Sequence, residues 1–583
     1  MPNEWGKSPV SVFEITQPMC AESYGVAPCA ASGADQCQNT FATCQDTANY
    51  NQAAEIKLRF REPGAREIEG EYIIPSLGGP PSTAPSVINP AGASRTSGPI
   101  GQRAVCKVKL MDHPHSDLLV DPYRTSRAYN PGDRSTFWRK WLARNPYHEG
   151  YLCRVYDGYE GQTLAEMQRR DYIIDKISGP SNGLVTVTAK DPLKLADNVR
   201  AQAPLPSTGL LSADISASAT TFTIYDTLNG DYPAPGTVRI GEECMTYTGS
   251  SFLSGVTTLT GVVRGTDGTT ADTHDADDSV QWCLRISSVP AWEVARDLLV
   301  DYAGVPPAYI PYTDWNAECS LYIPGFTVTT LITDPEGVNT LLGELCQQCL
   351  FYIWWDERDS QIKLRTVRTF SSPDININDD DNILEDSLSI DRRPEERVSQ
   401  VWIYYLRRDA TRKLDETANY RVRRVRADLS AESDNEYGTP QIKKIFSRWL
   451  ESDAQAITVG ARILNVSREV RQHVSLRLDA KDRALWTGGI ADMVTHHIVD
   501  SSGLPGQGRY QVMSAEEIEP GETLEYEMVL LQFGKGAQPR PAIYMADGSP
   551  TYAAATEAQR ENGGWYSEDG GTMSDGSPGY TYQ

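Results

Sequence analysis

The sequence lacks any uninterrupted apolar run approaching the roughly 18 residues that cross a bilayer. Its first residues, MPNEWGKSPVSVFEIT, lack the basic-then-apolar layout of a secretory signal. These absences set the expectation of a chain folded in a reducing cytoplasm, where structural disulfides are rare. Basic residues are in deficit: 54 Lys and Arg face 78 Asp and Glu, for a formal net charge of −24. That argues against a nucleic-acid binder that works by counterion release, although an acidic wall suits DNA that must slide past without sticking. Histidine is scarce, with seven copies, and G-x-S-x-G, H-E-x-x-H, the P-loop and a G-x-G-x-x-G after a strand are all missing. No catalytic residue is legible, and the chain reads as a non-enzyme. Phenylalanine is sparse, 11 against 29 Tyr and 12 Trp, a balance that suits strands and interfaces more than helical bundles.

What the chain does have is concentrated cysteine. Four of its 11 cysteines, Cys20, Cys29, Cys37 and Cys44, fall in MCAESYGVAPCAASGADQCQNTFATC. The filling between them is Gly, Pro and small polar residues, too little apolar matter for a core, so the stretch needs a covalent or metal staple. The spacing is C-x8-C-x7-C-x6-C. Zinc ribbons use close pairs that present two thiolates from one short turn, and bacterial ferredoxins use C-x2-C-x2-C. Wide, nearly even spacing puts one cysteine on each of four loops, which suits a cubane-sized object as readily as one zinc ion. Disulfides and unliganded thiols stay open on spacing alone.

With 583 residues there is room for three to five domains. The reading is mainly β with some helices (α+β), multi-domain, with two β-barrel-like domains and a small inserted β module. The four-cysteine module takes 1–51 and a first barrel-like domain 52–209, where AEIKLRFRE and VCKVKL alternate and FWRKWLAR has helical spacing. Short Thr- and Ser-rich strands with Gly and Asp turns mark the insertion at 210–284. An α+β domain follows at 285–397, opened by the Pro290 helix and containing the FYIWWDERDSQIKLRTV hairpin. A second barrel-like domain spans 398–533 and includes the basic strand YRVRRVRADL. An extended Gly/Ser/Asp-rich arm takes 534–583, where YMADGSPTY is echoed by TMSDGSPGY. The Pro/Gly loop at 77–101 and this arm are the candidates for contacts with neighbouring chains.

Other constellations read as structural. Cys346 and Cys349 form a C-x-x-C among leucines and read as buried small hydrophobes. His113 and His115, flanked by Asp112 and Asp117, read as a polar turn. Asp374, Asn376, Asn378 and Glu385 mimic calcium-loop positions, but Asp379 stands where the sharp turn needs Gly, so an acidic turn is favoured. THDADDS, Thr273 to Ser279, reads as a surface loop.

The cysteine stretch and its continuation resemble a tail-protein family of long-tailed phages. The shared pattern is Cys20-Ala-Glu-Ser-Tyr24-Gly25-Val26-Ala-Pro28-Cys29, then Cys37-Gln-Asn39-Thr40-Phe-Ala-Thr43-Cys44-Gln45-Asp46. The resemblance continues through LMDHPHSDLLVDPY, DYIIDKISGPSNGLVTVTAKDPLKLAD and LCQQCLFYIWWDERDSQIKLRTV, and the insertion resembles a β module recurrent in phage tail proteins. It implies a baseplate, or tail-tip, hub: a homotrimeric ring at the end of the tail tube, carrying two similar barrels per chain to adapt six-fold to three-fold symmetry. Its implied partners are the distal tail protein ring, a central fibre or spike and the tape measure protein, with DNA passing through the lumen. Its implied location is the virion tail tip, after synthesis in the host cytoplasm. Related hubs of gene transfer agents and a lambdoid minor tail protein carry a [4Fe–4S] cluster, which on this chain implies Cys20, Cys29, Cys37 and Cys44 as ligands, with zinc as second choice. In the lambdoid protein that module lies at the C-terminal end, so the transfer is of module type rather than domain order. The competing readings are an iron–sulfur or thiol redox protein, and a receptor-binding or polysaccharide-degrading tip protein, which would want long repeats or a paired-carboxylate cleft.

Overall fold

A computed structural model describes residues 8–33, 35–90, 100–370, 372–429, 431–433, 437–500, 502–519 and 522–531. The arm at 534–583 with its repeat, and residues 91–99 of the Pro/Gly loop, lie outside the described residues. The chain is mainly β and is built from several sheets, with no closed barrel among the described residues.

The first sheet contains β1 (Pro9–Met19), β2 (Ala54–Arg61), β3 (Ile74–Pro75), β4 (Ser82–Ala84), β5 (Val105–Met111), β6 (Leu152–Tyr159), β7 (Gln168–Ser181) and β8 (Leu184–Lys190), in the order β3-β2-β1-β6-β7-β8-β5-β4. Period-two alternation builds β5 and β8, whose Cys106, Val108, Leu110, Val185, Val187 and Ala189 face one core. Helix α1 (Phe137–Arg144) packs Phe137, Trp138 and Trp141 into that same core. The sheet is curled rather than closed. Past β3, Leu77 N–H donates to Arg61 O (2.8 Å), Gly78 N–H to Lys109 O (2.8 Å), and Met111 N–H to Ser76 O (2.6 Å). Residues 76–78 therefore clasp β2 to β5, which satisfies the edge groups an open sheet leaves bare.

The cysteine module expected at 1–51 is shorter than that. Strand β1 is an interior strand of the sheet, paired antiparallel with β2 (Phe13 opposite Phe60, Met19 opposite Ala54) and with β6 (Val12 opposite Tyr156). It carries no alternation because both faces are buried. Phe13 and Ile15 enter the main core, while Val10 and Val12 pack on Ile68, Ile73 and Met167. Between those apolar residues the buried Glu14 accepts from Arg59 Nε (2.7 Å) and Arg154 Nη1 (2.9 Å), so a polar letter sits inside a core strand. The cysteines occupy the connection from β1 to β2.

In the insertion, two antiparallel sheets enclose Phe222, Ile224, Val238, Met245, Tyr247 and Leu259. Its strand Gln281–Pro290 pairs with Gly236–Ile240 on one side and with Thr327–Ile332 on the other, leading directly into the next body. That body gathers α2 (Ala291–Asp297), α3 (Tyr312–Tyr322), α4 (Val338–Gln348) and α5 (Asp453–Ser467) around the hairpin Phe351–Asp356/Gln361–Thr366 and the strand Gln400–Arg407. Ser452 and Gln455 form a reciprocal capping box at the start of α5.

The second curled sheet has six strands, ordered Ile375–Asn378, Ile490–Val499, Pro505–Glu519, Thr523–Leu530, Arg471–Asp479, Ser389–Arg393. Its two edges are also tied together. Ile383 N–H donates to Asn378 O of the first edge (3.1 Å), and Ile383 bridges Leu478 near the other. No helix among the described residues is long and apolar enough to cross a membrane.

Candidate metal centre

The register Met19 opposite Ala54 holds the two ends of the module together at the mouth of the β1–β2 hairpin. The residues between, having no core, are organised by hydrogen bonds. Cys20 N–H donates to Asn39 O (2.7 Å) and Asn39 Nδ2 returns to Cys20 O (3.3 Å), bringing the first and third cysteine segments together. Cys29 N–H closes a turn on Val26 O (2.9 Å). Asp46 Oδ2 accepts from Ala30 N–H (2.7 Å) and from Asn49 Nδ2 (3.0 Å), fixing the second cysteine's loop to the fourth's, and these bonds pull the Asp46 carboxyl below its ordinary range. One glycine here adopts a left-handed conformation and another is closely approached by side chains. Gly25 has φ +71°, and a Cβ on Gly33 would stand 2.8 Å from Gln45 Oε1 and 3.1 Å from the Tyr24 hydroxyl.

The outcome is one pocket of about 320 Å³ of empty space, its open mouth included, lined by Cys20, Cys29, Cys37 and Cys44 with Tyr24, Asn39, Asp46 and Tyr50. All four cysteines are free thiols. Their electrostatics register the convergence. Burial pushes the Cys37 thiol up, and negative charge on Cys44, Cys29 and Cys20 pushes it further. Tyr50 is pushed up to about 12 by burial and by charge on Cys20, Tyr151, Cys44 and Cys37. Thiolates packed this way repel one another unless a cation lies among them. A backbone donor already faces one sulfur: Asp46 N–H donates to Cys44 Sγ at 3.4 Å.

The module is clamped to the body by the loop before α1. Arg127, whose guanidinium is held by Asp121 (Nε to Oδ2, 2.8 Å), donates to the carbonyls of Gln36 and Cys37, the latter at 2.9 Å. Tyr123 Oη accepts from Tyr24 N–H (2.8 Å). At the rim, Phe41 stacks edge-on against Tyr50 and Tyr147, with centroids 5.2 and 6.3 Å apart.

No family model and no curated protein matches the chain. Among solved structures it is similar to the 43 kDa tail protein of prophage MuSo2 from Shewanella oneidensis (10% identity, TM-score 0.35, covering 78% of this chain and 97% of that one). It is also similar to prophage tail protein gp18 from Listeria monocytogenes EGD-e (10% identity, TM-score 0.27, 78% and 88%). A third is a chain of the virion of a native gene transfer agent particle (12% identity, TM-score 0.31, 56% and 85%). The chain is similar to phage tail proteins. At these identities and scores the similarity assigns no role by itself.

The remaining candidate residues have structural employment. Among the described residues, no group of three His, Cys, Asp or Glu converges closely enough to hold a single metal ion. His115 is buried, accepting from Asp117 N–H (3.0 Å) and bonding the Tyr72 hydroxyl (3.3 Å). Cys346 and Cys349 sit in the central core. Asn376 and Asn378 belong to a strand, and Asp374 accepts from Ile490 N–H (2.8 Å), so these positions form no calcium loop. Within THDADDS, His274 is not a surface residue. It bonds Glu243 at 2.9 Å, alongside Arg264, and those bonds pull Glu243 down to about 2. The pairing escapes a sequence reading because Glu243 and His274 are brought together only by the sheet.

Proposed function

We propose that the chain is a structural hub of a phage tail tip, and that Cys20, Cys29, Cys37 and Cys44 hold a [4Fe–4S] cluster that staples the β1–β2 connection. The observation that carries the cluster is the convergence of four unpaired thiols from four separate loop segments on one pocket. Four ligands from four loops around one pocket suit a polynuclear centre as readily as a zinc ion, and the family resemblance favours the cluster. Bound there, the cluster supplies iron–thiolate bonds that replace a missing core. The chain's own part is to place the sulfurs through Asn39, Asp46 and Arg127 and to keep the site attached to the body.

The hub reading rests on the cysteine pattern and its family resemblance. Two curled sheets in one chain suit a ring whose subunits each present two similar bodies. In that reading the hub is a non-enzymatic homotrimer in the virion. It joins the distal tail ring to the central fibre or spike, and DNA passes through the lumen. Anaerobically purified protein is expected to be brown, to absorb near 400 nm and to carry iron and sulfide in equal amounts. Colourless protein with stoichiometric zinc would remove the cluster. Gold label on this protein is expected at the tail tip of the virion, and label on the capsid or along the tube would remove the hub.

A further inference from the structure

In a chain of net charge −24, one sheet face presents cations that form no ion pair among the described residues, its carboxylate Glu432 being bonded instead to Gln400 and Ser399. The strands Tyr420–Ala427 and Ile442–Phe446 flank Gln400–Arg407. Their register puts Trp402 between Val425 and Lys444, Tyr404 between Arg423 and Phe446, and Gln400 between Ala427 and Ile442. Alternation sends these residues to one face and Val401, Ile403 and Tyr405 to the other, where they join the core with α5. On the α5 side Arg424 pairs with Asp453. The Arg423 guanidinium lies 5.3 Å, and the Lys444 ammonium 5.6 Å, from the centre of the Trp402 ring, and neither they nor the exposed Arg421 form an ion pair among the described residues.

Charges on an edge strand commonly guard it against unwanted pairing. That accounts for Arg421 and Arg423, but not for the apolar surface between the cations, where Val425 is 42% and Ile442 43% exposed. Cations around a half-buried tryptophan and an exposed aliphatic strip fit a segment that is both acidic and aromatic. The chain contains one. Residues 561–583 carry Glu561, Glu568, Asp569 and Asp575, no Lys or Arg, and the rings of Trp565, Tyr566, Tyr580 and Tyr582. Thirty residues separate Leu530, where the last strand ends, from this segment, a tether of up to about 100 Å.

We propose that residues 561–583, from the same chain or a neighbouring copy, dock on the face formed by Trp402, Arg423, Val425, Ile442 and Lys444. The test is a photo-cross-linking amino acid at position 425 of the full-length protein, with the products mapped by mass spectrometry. Cross-links to peptides within 561–583 are expected, at monomer mass for docking in the same chain and at dimer mass for docking between copies. Their yield should fall at least ten-fold in Arg423→Glu/Lys444→Glu and on moving from 50 to 500 mM salt, while circular dichroism shows that variant folded. Cross-links confined to other segments, a yield indifferent to charge reversal, or single-stranded oligonucleotide cross-linked in place of the tail would each overturn the proposal.

Discussion

Glu357, at the turn of the hairpin Phe351–Asp356/Gln361–Thr366, is 3% exposed, and its Oε1 has no hydrogen-bond partner. Burial pushes its carboxyl up to about 7 against the relief offered by Arg170 of β7, while Asp191 and Asp356 add repulsion and Ser86 N–H donates to it. Asp191 is likewise pushed up, to about 6, by burial. The sign follows from proton linkage. Below the ordinary carboxylate range both folded and unfolded states hold the proton, and Glu357 makes no difference. Between there and about 7 the folded state holds a proton the unfolded state has lost, so stability falls as pH rises, and the loss is complete above about 7. Glu357→Gln keeps an acceptor for Ser86 N–H and removes the charge. It is expected to raise the melting temperature at pH 8.5 by several degrees and to leave it nearly unchanged at pH 4. Equal gains at both pH values would show that ionisation is not the cause.

At the scale of one element, the β1–β2 connection has two supports, the cysteines and the Arg127 clamp. Cys29→Ser removes one of four ligands and is expected to open residues 20–53 to limited proteolysis, while the register of β1 with β2 preserves the sheet. Arg127→Ala frees the Gln36 and Cys37 carbonyls and leaves Asp121, whose side chain is fully buried, without its cation. Stranding a buried charge costs about 3–5 kcal/mol, so cleavage in the same segment should speed up even with all cysteines present. Unchanged resistance in both variants would mean that neither support holds the connection. The sequence made this element visible through its cysteines, because thiols crowded into coreless surroundings demand a staple whatever the fold. It hid β1. A strand buried on both faces has no alternation to read, and Glu14 between Phe13 and Ile15 looks like a surface letter until Arg59 and Arg154 arrive from two other strands. The strands β5 and β8 and the helix α1 were legible because each exposes one face, so their periods survive in the letters. The clasp at 76–78 was not, since it is made by backbone groups that no side-chain pattern records.

For the whole molecule, the decisive piece is the hairpin wedged between the two curled sheets. On one side Trp355 Nε1–H donates to Asp171 O of β7 (3.1 Å), and Ser86 Oγ donates to Trp355 O (3.3 Å). On the other, the Arg358 guanidinium stacks 3.6 Å from the Trp486 ring centre, and Arg365 donates to Gly488 O. Gly488 has φ +85°, and a Cβ there would stand 2.6 Å from Trp354 Cζ2, so the second sheet meets the hairpin through a position only glycine fills. Trp355→Ala leaves a cavity and an unpartnered Asp171 carbonyl on the first sheet's side, a loss of about 3–5 kcal/mol. Gly488→Ala forces the hairpin away on the second sheet's side. If the hairpin transmits load as one rigid element, either substitution raises amide exchange in β7 and in residues 486–513 together, because loosening one contact loosens the wedge. Exchange confined to the sheet next to the substituted residue would show instead that the two sheets are stabilised independently, with the hairpin a passive bridge.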